Sequence, residues 1–286
     1  MKKHDWYSEF GEYTIEEYVK ERILANADEI ERLNLIVSLV PKDTSTLLDV
    51  GCGVGIFLDL LYKKRKIKGL GIDISEDKVN FARKHNILVE KGDVGSLRFD
   101  DCSFDVVAAL EVLEHLPYGT YEKALKEIAR CAKKAIIISV PYDEKRQFIK
   151  CPYCGTIFNP NYHLRVFNEN TLSSLFPGFK VKKMIKIGTV YRIPLFLEYM
   201  QRMLSISGKL SLKNVEFVCP ACGFSKPPSK EKGGNSKPFL KKALRFIWKF
   251  LPKLKQARWI IAIYIKSEPR APTNLRVVNS YYSKTR

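Results

Sequence analysis

The chain has 286 residues, 45% hydrophobic and 28% charged, which excludes collagen, coiled coil and wholesale disorder and leaves ample apolar material for a core. Its formal charge is +18, from 49 basic and 31 acidic side chains. The excess is confined to one half: residues 1–150 carry 24 basic and 26 acidic residues (net −2), and residues 151–286 carry 25 and 5 (net +20). In chain order, Thr14 with Glu17 forms a capping box, and Leu24, Ala27, Ile30, Leu33 and Val37 recur at helical spacing up to Pro41. That pattern predicts a helix, or two short ones, over residues 1–45. Strand–helix units follow. Leu47–Val50 is a short apolar strand before a helix over Ile56–Tyr62, and Gly69–Asp73 is a second strand before a helix from Glu76 to His85. Phe104–Leu110 precedes a helix through Leu125 and Ile128, and Ala135–Val140 closes this run. Strands that are apolar throughout, alternating with helices, predict a parallel sheet covered on both faces over residues 46–150.

The loop after the first strand reads Asp49-Val-Gly51-Cys-Gly53-Val-Gly55. Glycines at a strand-to-helix turn let the backbone approach a ligand closely. The dinucleotide fingerprint wants its third glycine at position 56, which is Ile56. A carboxylate beside the loop, Asp49, suits a ligand bearing an ammonium group better than a pyrophosphate. Asp73 ends the second strand, where a carboxylate can accept both hydroxyls of a ribose, and Asp93 follows the expected third strand, within reach of an adenine amino group.

With these residues the chain resembles the class I S-adenosylmethionine-dependent methyltransferases, in particular the broad type 11 group. The matching segments are Leu47–Leu58, Gly71–Ser75, Gly92–Val94, Ser103–Val107 and Leu110–Pro117. The resemblance implies the family's Rossmann-like seven-stranded α/β sheet, with a sixth strand near Lys180–Ile187 antiparallel to a last strand at 259–267. It implies that Gly51, Gly53 and Gly55 hold the methionine part of the cofactor, Asp73 the ribose and Asp93 the adenine. Ile74 would pack on the adenine face, and Asp49, Val94 and Glu111 would join the cofactor contacts.

A sulfonium already carries a good leaving group, so the enzyme mainly has to hold an acceptor in line with the methyl; a hydroxyl acceptor also needs a base. The chain has four histidines. His115 follows the fourth strand beside Glu114, at the carboxyl edge where such sheets bind ligands, and His163 lies in Tyr162-His-Leu-Arg165. Similar His-containing segments occur in ubiquinone-type O-methyltransferases, and His163 is the candidate base, with His115 and Glu114 as further catalytic candidates. If residues 111–115 are helical, Glu111, Glu114 and His115 share a face. With His163 they would match the two carboxylates and two imidazoles that bind a divalent ion in the small-RNA 2′-O-methyltransferases.

Cys151-Pro-Tyr-Cys154-Gly and Cys219-Pro-Ala-Cys222-Gly are paired knuckles, each bringing two thiolates to one point; together they predict a structural Zn²⁺ site. The 64 intervening residues exceed the usual 15–20, which fits a loop holding the sixth strand and a helical insert, so residues 151–226 are expected to form an inserted zinc-ribbon-like module. Residues 227–258 read as a basic linker and an amphipathic helix, with Phe239, Leu244, Phe246 and Phe250 opposite Lys241, Lys242, Arg245 and Lys249. That composition suits the membrane interface. Residues 268–286 read as a polar tail. The expected function is methylation of a hydroxyl on a small amphiphilic, lipid- or glycan-linked acceptor at an anionic membrane surface. The rival readings are an RNA methyltransferase and a binding module without transfer activity. No apolar run reaches the ~18 residues of a membrane span and no secretion signal is evident, so the expected location is the cytoplasm, peripheral to the inner membrane face.

Overall fold

The computed structural model describes residues 15–146, 148–192, 217–226 and 254–267. Thr14, the helical insert after position 192, the basic amphipathic helix and the polar tail lie outside the described residues. The chain starts with α1 (Ile15–Tyr18), continued by a π-helical stretch (Val19–Leu24), and α2 (Ala27–Leu39). Asn26 caps α2, its Oδ1 accepting from the Glu29 N–H at 3.3 Å. Next come β1 (Leu47–Val50), α3 (Ile56–Arg65), β2 (Leu70–Asp73), α4 (Glu76–Lys84), β3 (Val89–Lys91), β4 (Phe104–Leu110), α5 (Thr120–Cys131) and β5 (Ala132–Pro141). After the first cysteine pair come α6 (Glu169–Ser173), β8 (Phe179–Ile187) and, at the end, β13 (Trp259–Lys266).

Seven strands form one sheet in the order β3-β2-β1-β4-β5-β13-β8, the first five parallel and β13 antiparallel to both neighbours. The sheet is the one expected from the resemblance, and the sixth strand lies at Phe179–Ile187. Its central strands are buried on both faces. Val107, Ala109, Ile136, Ile138, Ile260 and Ala262 point to one side, where α5 and α6 pack. Leu47, Val106, Ala108, Ala135, Ile137 and Ile261 point to the other, against α2, α3 and α4. That explains the near-continuous apolar runs. The edge strand β8 exposes Lys180, Lys182, Lys183 and Lys186, charges that discourage another chain from pairing there.

The cysteine pairs sit in two short hairpins: β6 (Ile149–Lys150) with β7 (Ile157–Phe158), and β10 (Phe217–Val218) with β11 (Ser225–Lys226). A further pair joins β9 (Val190–Arg192) to β12 (Leu254–Gln256). One expectation fails. Residues 111–115 form a bend and a turn, not a helix, because tertiary bonds claim their backbone. Glu111 N–H donates to Ser139 O at 2.8 Å, and Leu164 N–H to Glu114 O at 2.7 Å.

Candidate active site

The Gly51–Gly55 loop wraps the carboxyl ends of β1 and β2. Gly51 and Cys52 N–H both donate to Ile72 O, at 2.7 and 3.0 Å, and Gly53 N–H donates to Asp73 Oδ2 at 2.7 Å. Gly53 has φ +56°, and a Cβ added to it would meet no atom of the described residues within 4 Å, so the space beside it is open. A cavity of about 150 Å³ lies there, lined among others by Arg32, Asp49, Gly51, Gly53, Lys78 and Glu111. Asp49 is buried, and its Oδ1 has no hydrogen-bond partner among the described residues. Burial, then the neighbouring Asp73, pushes its carboxyl well above the usual carboxylate range, with Arg32 opposing. A cationic amine in the cavity would relieve that cost.

Asp73 Oδ1 accepts from Ser75 N–H at 2.9 Å. Each carboxylate oxygen keeps a lone pair for a further donor. Ile74 is exposed beside it, Val94 is buried, and Asp93 is exposed with Oδ1 accepting from Gly95 N–H at 2.8 Å. These residues fit S-adenosylmethionine: a buried carboxylate for its ammonium group, with one oxygen lacking a hydrogen bond among the described residues, open room beside Gly53, an acidic strand end for the ribose and an exposed apolar side chain for the adenine.

Glu111 stands apart from the expected quartet. It takes φ +58° directly after β4, and its Oε2 accepts from Trp259 Nε1 at 2.9 Å. Its Oε1 lies 3.8 Å from Arg32, a buried arginine of α2 that also bonds Glu29 and donates to Ser139 Oγ at 2.8 Å. The Arg32 guanidinium sits 5.1 Å from the Trp259 ring centre. Arg32 and Trp259 were missed from sequence, since an i,i+3 Glu–Arg pair on a helix usually marks a solvated face.

Beyond Glu111, the turn delivers Glu114 and His115 to His163, their ligand atoms all within 4.8 Å of one another and the two rings 4.7 Å apart, edge to face. Burial, then His163, holds the His115 imidazole down at about 3, so it is neutral at ordinary pH. Glu114 is 1% exposed and neither carboxylate oxygen has a hydrogen-bond partner among the described residues; burial, then Glu111, raises its carboxyl well above the usual range. His163 Nδ1 bonds Glu144 Oε2, which no spacing in the sequence suggests. Burial raises the Glu144 carboxyl, but that hydrogen bond and the His163 charge outweigh it and hold the group below its ordinary value.

The four knuckle cysteines also converge. Cys151 Sγ lies 3.8 Å from Cys222 Sγ and Cys154 Sγ 3.5 Å from Cys219 Sγ, with all four within 4.8 Å. Gly155 and Gly223 take φ +77° and +70° beneath them. Four convergent thiols over such turns fit a tetrahedral Zn²⁺ site.

A methyltransferase-domain family model matches residues 17–180, more than half of the chain, and the chain belongs to that family, whose class is the S-adenosylmethionine-dependent methyltransferases. Among curated relatives, ubiquinone biosynthesis O-methyltransferase from Coxiella burnetii is 34% identical over 92 residues, 30% of this chain and 39% of the relative, so the chain spans about two fifths of that relative's length. A methyltransferase from Archaeoglobus fulgidus, described as S-adenosylmethionine dependent, matches in structure with TM-score 0.53 at 19% identity, covering 88% of this chain and all of that one. The PH0226 protein of Pyrococcus horikoshii, 24% identical over 60% of this chain and 93% of its own, gives a TM-score of 0.48.

Proposed function

We propose that the protein transfers a methyl group from S-adenosylmethionine to a hydroxyl of a small amphiphilic, lipid- or glycan-linked acceptor brought to it at an anionic membrane surface. The observation that carries this reading is the His163–Glu144 pair, which lies with His115 at the carboxyl edge of the sheet, next to the turn that begins at cavity-lining Glu111. S-adenosylmethionine, when bound, supplies a methyl on a sulfonium. The chain's own part is to hold the acceptor and take its proton. Glu144 fixes the ring of His163 with Nδ1 engaged and leaves Nε2 to accept the hydroxyl proton. Glu144 also stabilises the imidazolium that forms. Neutral His115 borders the same space. The ubiquinone-pathway relative's name supports a hydroxyl acceptor, and the net charge of +20 over residues 151–286 supports the anionic surface.

A second reading is favoured by the two buried oxygens of Glu114, which make no hydrogen bond among the described residues: a divalent cation held by Glu114, His115 and His163 that activates the acceptor in place of a free imidazole. Both readings are tested with a prenylated catechol as acceptor, following S-adenosylhomocysteine production. His163→Ala should cost ~10²–10⁴-fold in kcat while leaving S-adenosylhomocysteine affinity unchanged. An undiminished rate in that variant would remove His163 from catalysis. Loss of the rate in EDTA while the cysteine module keeps its zinc, with restoration by Mg²⁺ or Mn²⁺, would favour the cation. Turnover on RNA but on no small acceptor would favour the RNA reading.

A further inference from the structure

Tyr162 belongs to two structures at once. Its side chain is part of the small core of the cysteine module, packed with Cys151, Phe158, Cys219, Cys222 and Phe224. The ring stacks on Phe158 with centres 6.2 Å apart and planes 11° apart. Its hydroxyl engages both backbone groups of Val218, donating to the carbonyl and accepting from the N–H at 3.1 Å. Val218 directly precedes Cys219, so this hydroxyl grips the strand that delivers the second knuckle.

The backbone of the same residue serves the other site. Tyr162 precedes His163, and the His115 ring hydrogen-bonds to the Tyr162 backbone. Its φ of +57° is a conformation a tyrosine adopts only when its surroundings over-determine it. The surroundings are visible. Asn159 Oδ1 accepts from Asn161 N–H at 2.9 Å and from His163 N–H at 3.3 Å, Asn159 O accepts from Tyr162 N–H at 2.9 Å, and the hydroxyl is fixed on Val218. Of these holds, only the last depends on the second knuckle, which lies 56 residues away in sequence. The four thiols converge where that knuckle meets the first, alongside the packing of Phe224 and Phe158 in the module's small core.

We infer that Tyr162 is a positioning residue that ties His163 and His115 to the four-cysteine module, so that metal occupancy of the module decides whether the histidine pair is aimed at the acceptor. Metal loss would free the Val218 strand, release the Tyr162 hydroxyl and let residues 159–163 relax from the left-handed turn. The cofactor cavity shares no lining residue with the module and would keep its ligand. The role of the histidines rests on the methyl-transfer reading above; their dependence on the module does not.

The test follows the ¹⁵N ring signals of His115 and His163 in the full-length protein at one fixed pH, with metal content and S-adenosylhomocysteine affinity measured on the same samples. Stripping the metal under reducing conditions should move both rings to averaged, free-imidazole signals, and Zn²⁺ should return them, with affinity unchanged throughout. Tyr162→Phe keeps the ring on Phe158 and removes only the hydroxyl. It should shift the same signals with metal retained and lower kcat on the catechol acceptor by about 10²-fold, the scale of a small misplacement, without raising KM for S-adenosylmethionine. Ring signals that stay put in metal-loaded Tyr162→Phe would overturn the inference even if stripping moves them, because a cation lost from Glu114, His115 and His163 would do the same. If the Phe variant itself loses metal, its signals are read after reloading with Zn²⁺. Failure of S-adenosylhomocysteine to bind any form would sink the methyltransferase reading while leaving the histidine result to judge the latch.

Discussion

Glu111 shows how one side chain acquires a role that its neighbours in sequence do not reveal. Burial pushes its carboxyl up to about 7, with Glu29 adding and Arg32 and the Trp259 hydrogen bond opposing. Glu114 and His163 are titratable groups nearby, and Asp49 and Lys78 line the same cavity. A folded-state value above the ordinary 4.5 means that the folded protein holds this proton more tightly than the unfolded chain. Stability from that proton is present below pH 4.5 and is lost as pH rises through 7. Glu111→Gln keeps an acceptor for Trp259 and cannot ionise. Its stability relative to wild type should therefore rise between those two values and level off above them, by about 1 kcal/mol once the 27% exposure of the side chain is allowed for. Thermal unfolding at a series of pH values reads this directly; a pH-independent difference would mean that folding leaves the proton affinity of Glu111 unchanged. The sequence offered Glu111 as a cofactor contact. It does line the cavity, but Arg32 and Trp259, 79 positions before and 148 after it, decide its chemistry.

At the scale of elements, the loop between β1 and α3 was legible because its glycines mark backbone geometry, which is local. Two of them make separable demands. A Cβ at Gly51 would lie 2.4 Å from Val112 Cγ2, with φ at +69°, so Gly51→Ala must push the 111–115 turn away and should lower thermal stability by about 1–3 kcal/mol. A Cβ at Gly53 meets no atom of the described residues within 4 Å and points into the open cavity. Gly53→Ala should cost about 1 kcal/mol or less of stability, from its backbone alone, yet weaken S-adenosylhomocysteine binding tenfold or more. Thermal unfolding and calorimetric titration on both variants separate the two; equal ligand affinity in Gly53→Ala would show that the cofactor does not approach this glycine. The knuckles were legible for a similar reason, since CPxCG carries its turn within five residues. The Glu111–His115 segment was not. Its apparent helical spacing is overruled by bonds to Ser139 and Leu164, residues 25 or more positions away that lie beside it only once the sheet is built.

For the whole molecule, the separation of charge is the largest-scale feature, with the first five strands of the sheet and the cofactor loop in a nearly neutral half, and the cysteine module, β8 and β13 in a half of net +20. No helix among the described residues is long and apolar enough to cross a membrane. If the basic half meets a leaflet, the full chain should sediment with phosphatidylglycerol vesicles at low salt, at about 1 kcal/mol per basic residue at the surface. Binding should fade as salt shortens the screening length, and neutral vesicles should not bind. Arg245→Glu with Lys249→Glu should weaken vesicle binding and spare S-adenosylhomocysteine binding. Stronger, salt-sensitive retention on single-stranded RNA than on vesicles would move the basic half to the RNA reading.

The sequence by itself determined the alternation of strands and helices up to Val140 and the last strand, the glycine loop with its acidic neighbours, and the two cysteine turns. Each of these rests on interactions within a few residues: side-chain periodicity, backbone freedom, a tight turn. Only the tertiary structure decided which polar groups meet. It buried Arg32 of the N-terminal helix against Glu111 and Trp259, gave His163 the carboxylate of Glu144, left the Glu114 oxygens without a hydrogen bond among the described residues, and placed Tyr162 between the cysteine module and the histidines. Those pairings join segments 19 to 148 positions apart. They exist because the sheet and the module bring the segments together, and no local preference of the chain encodes them.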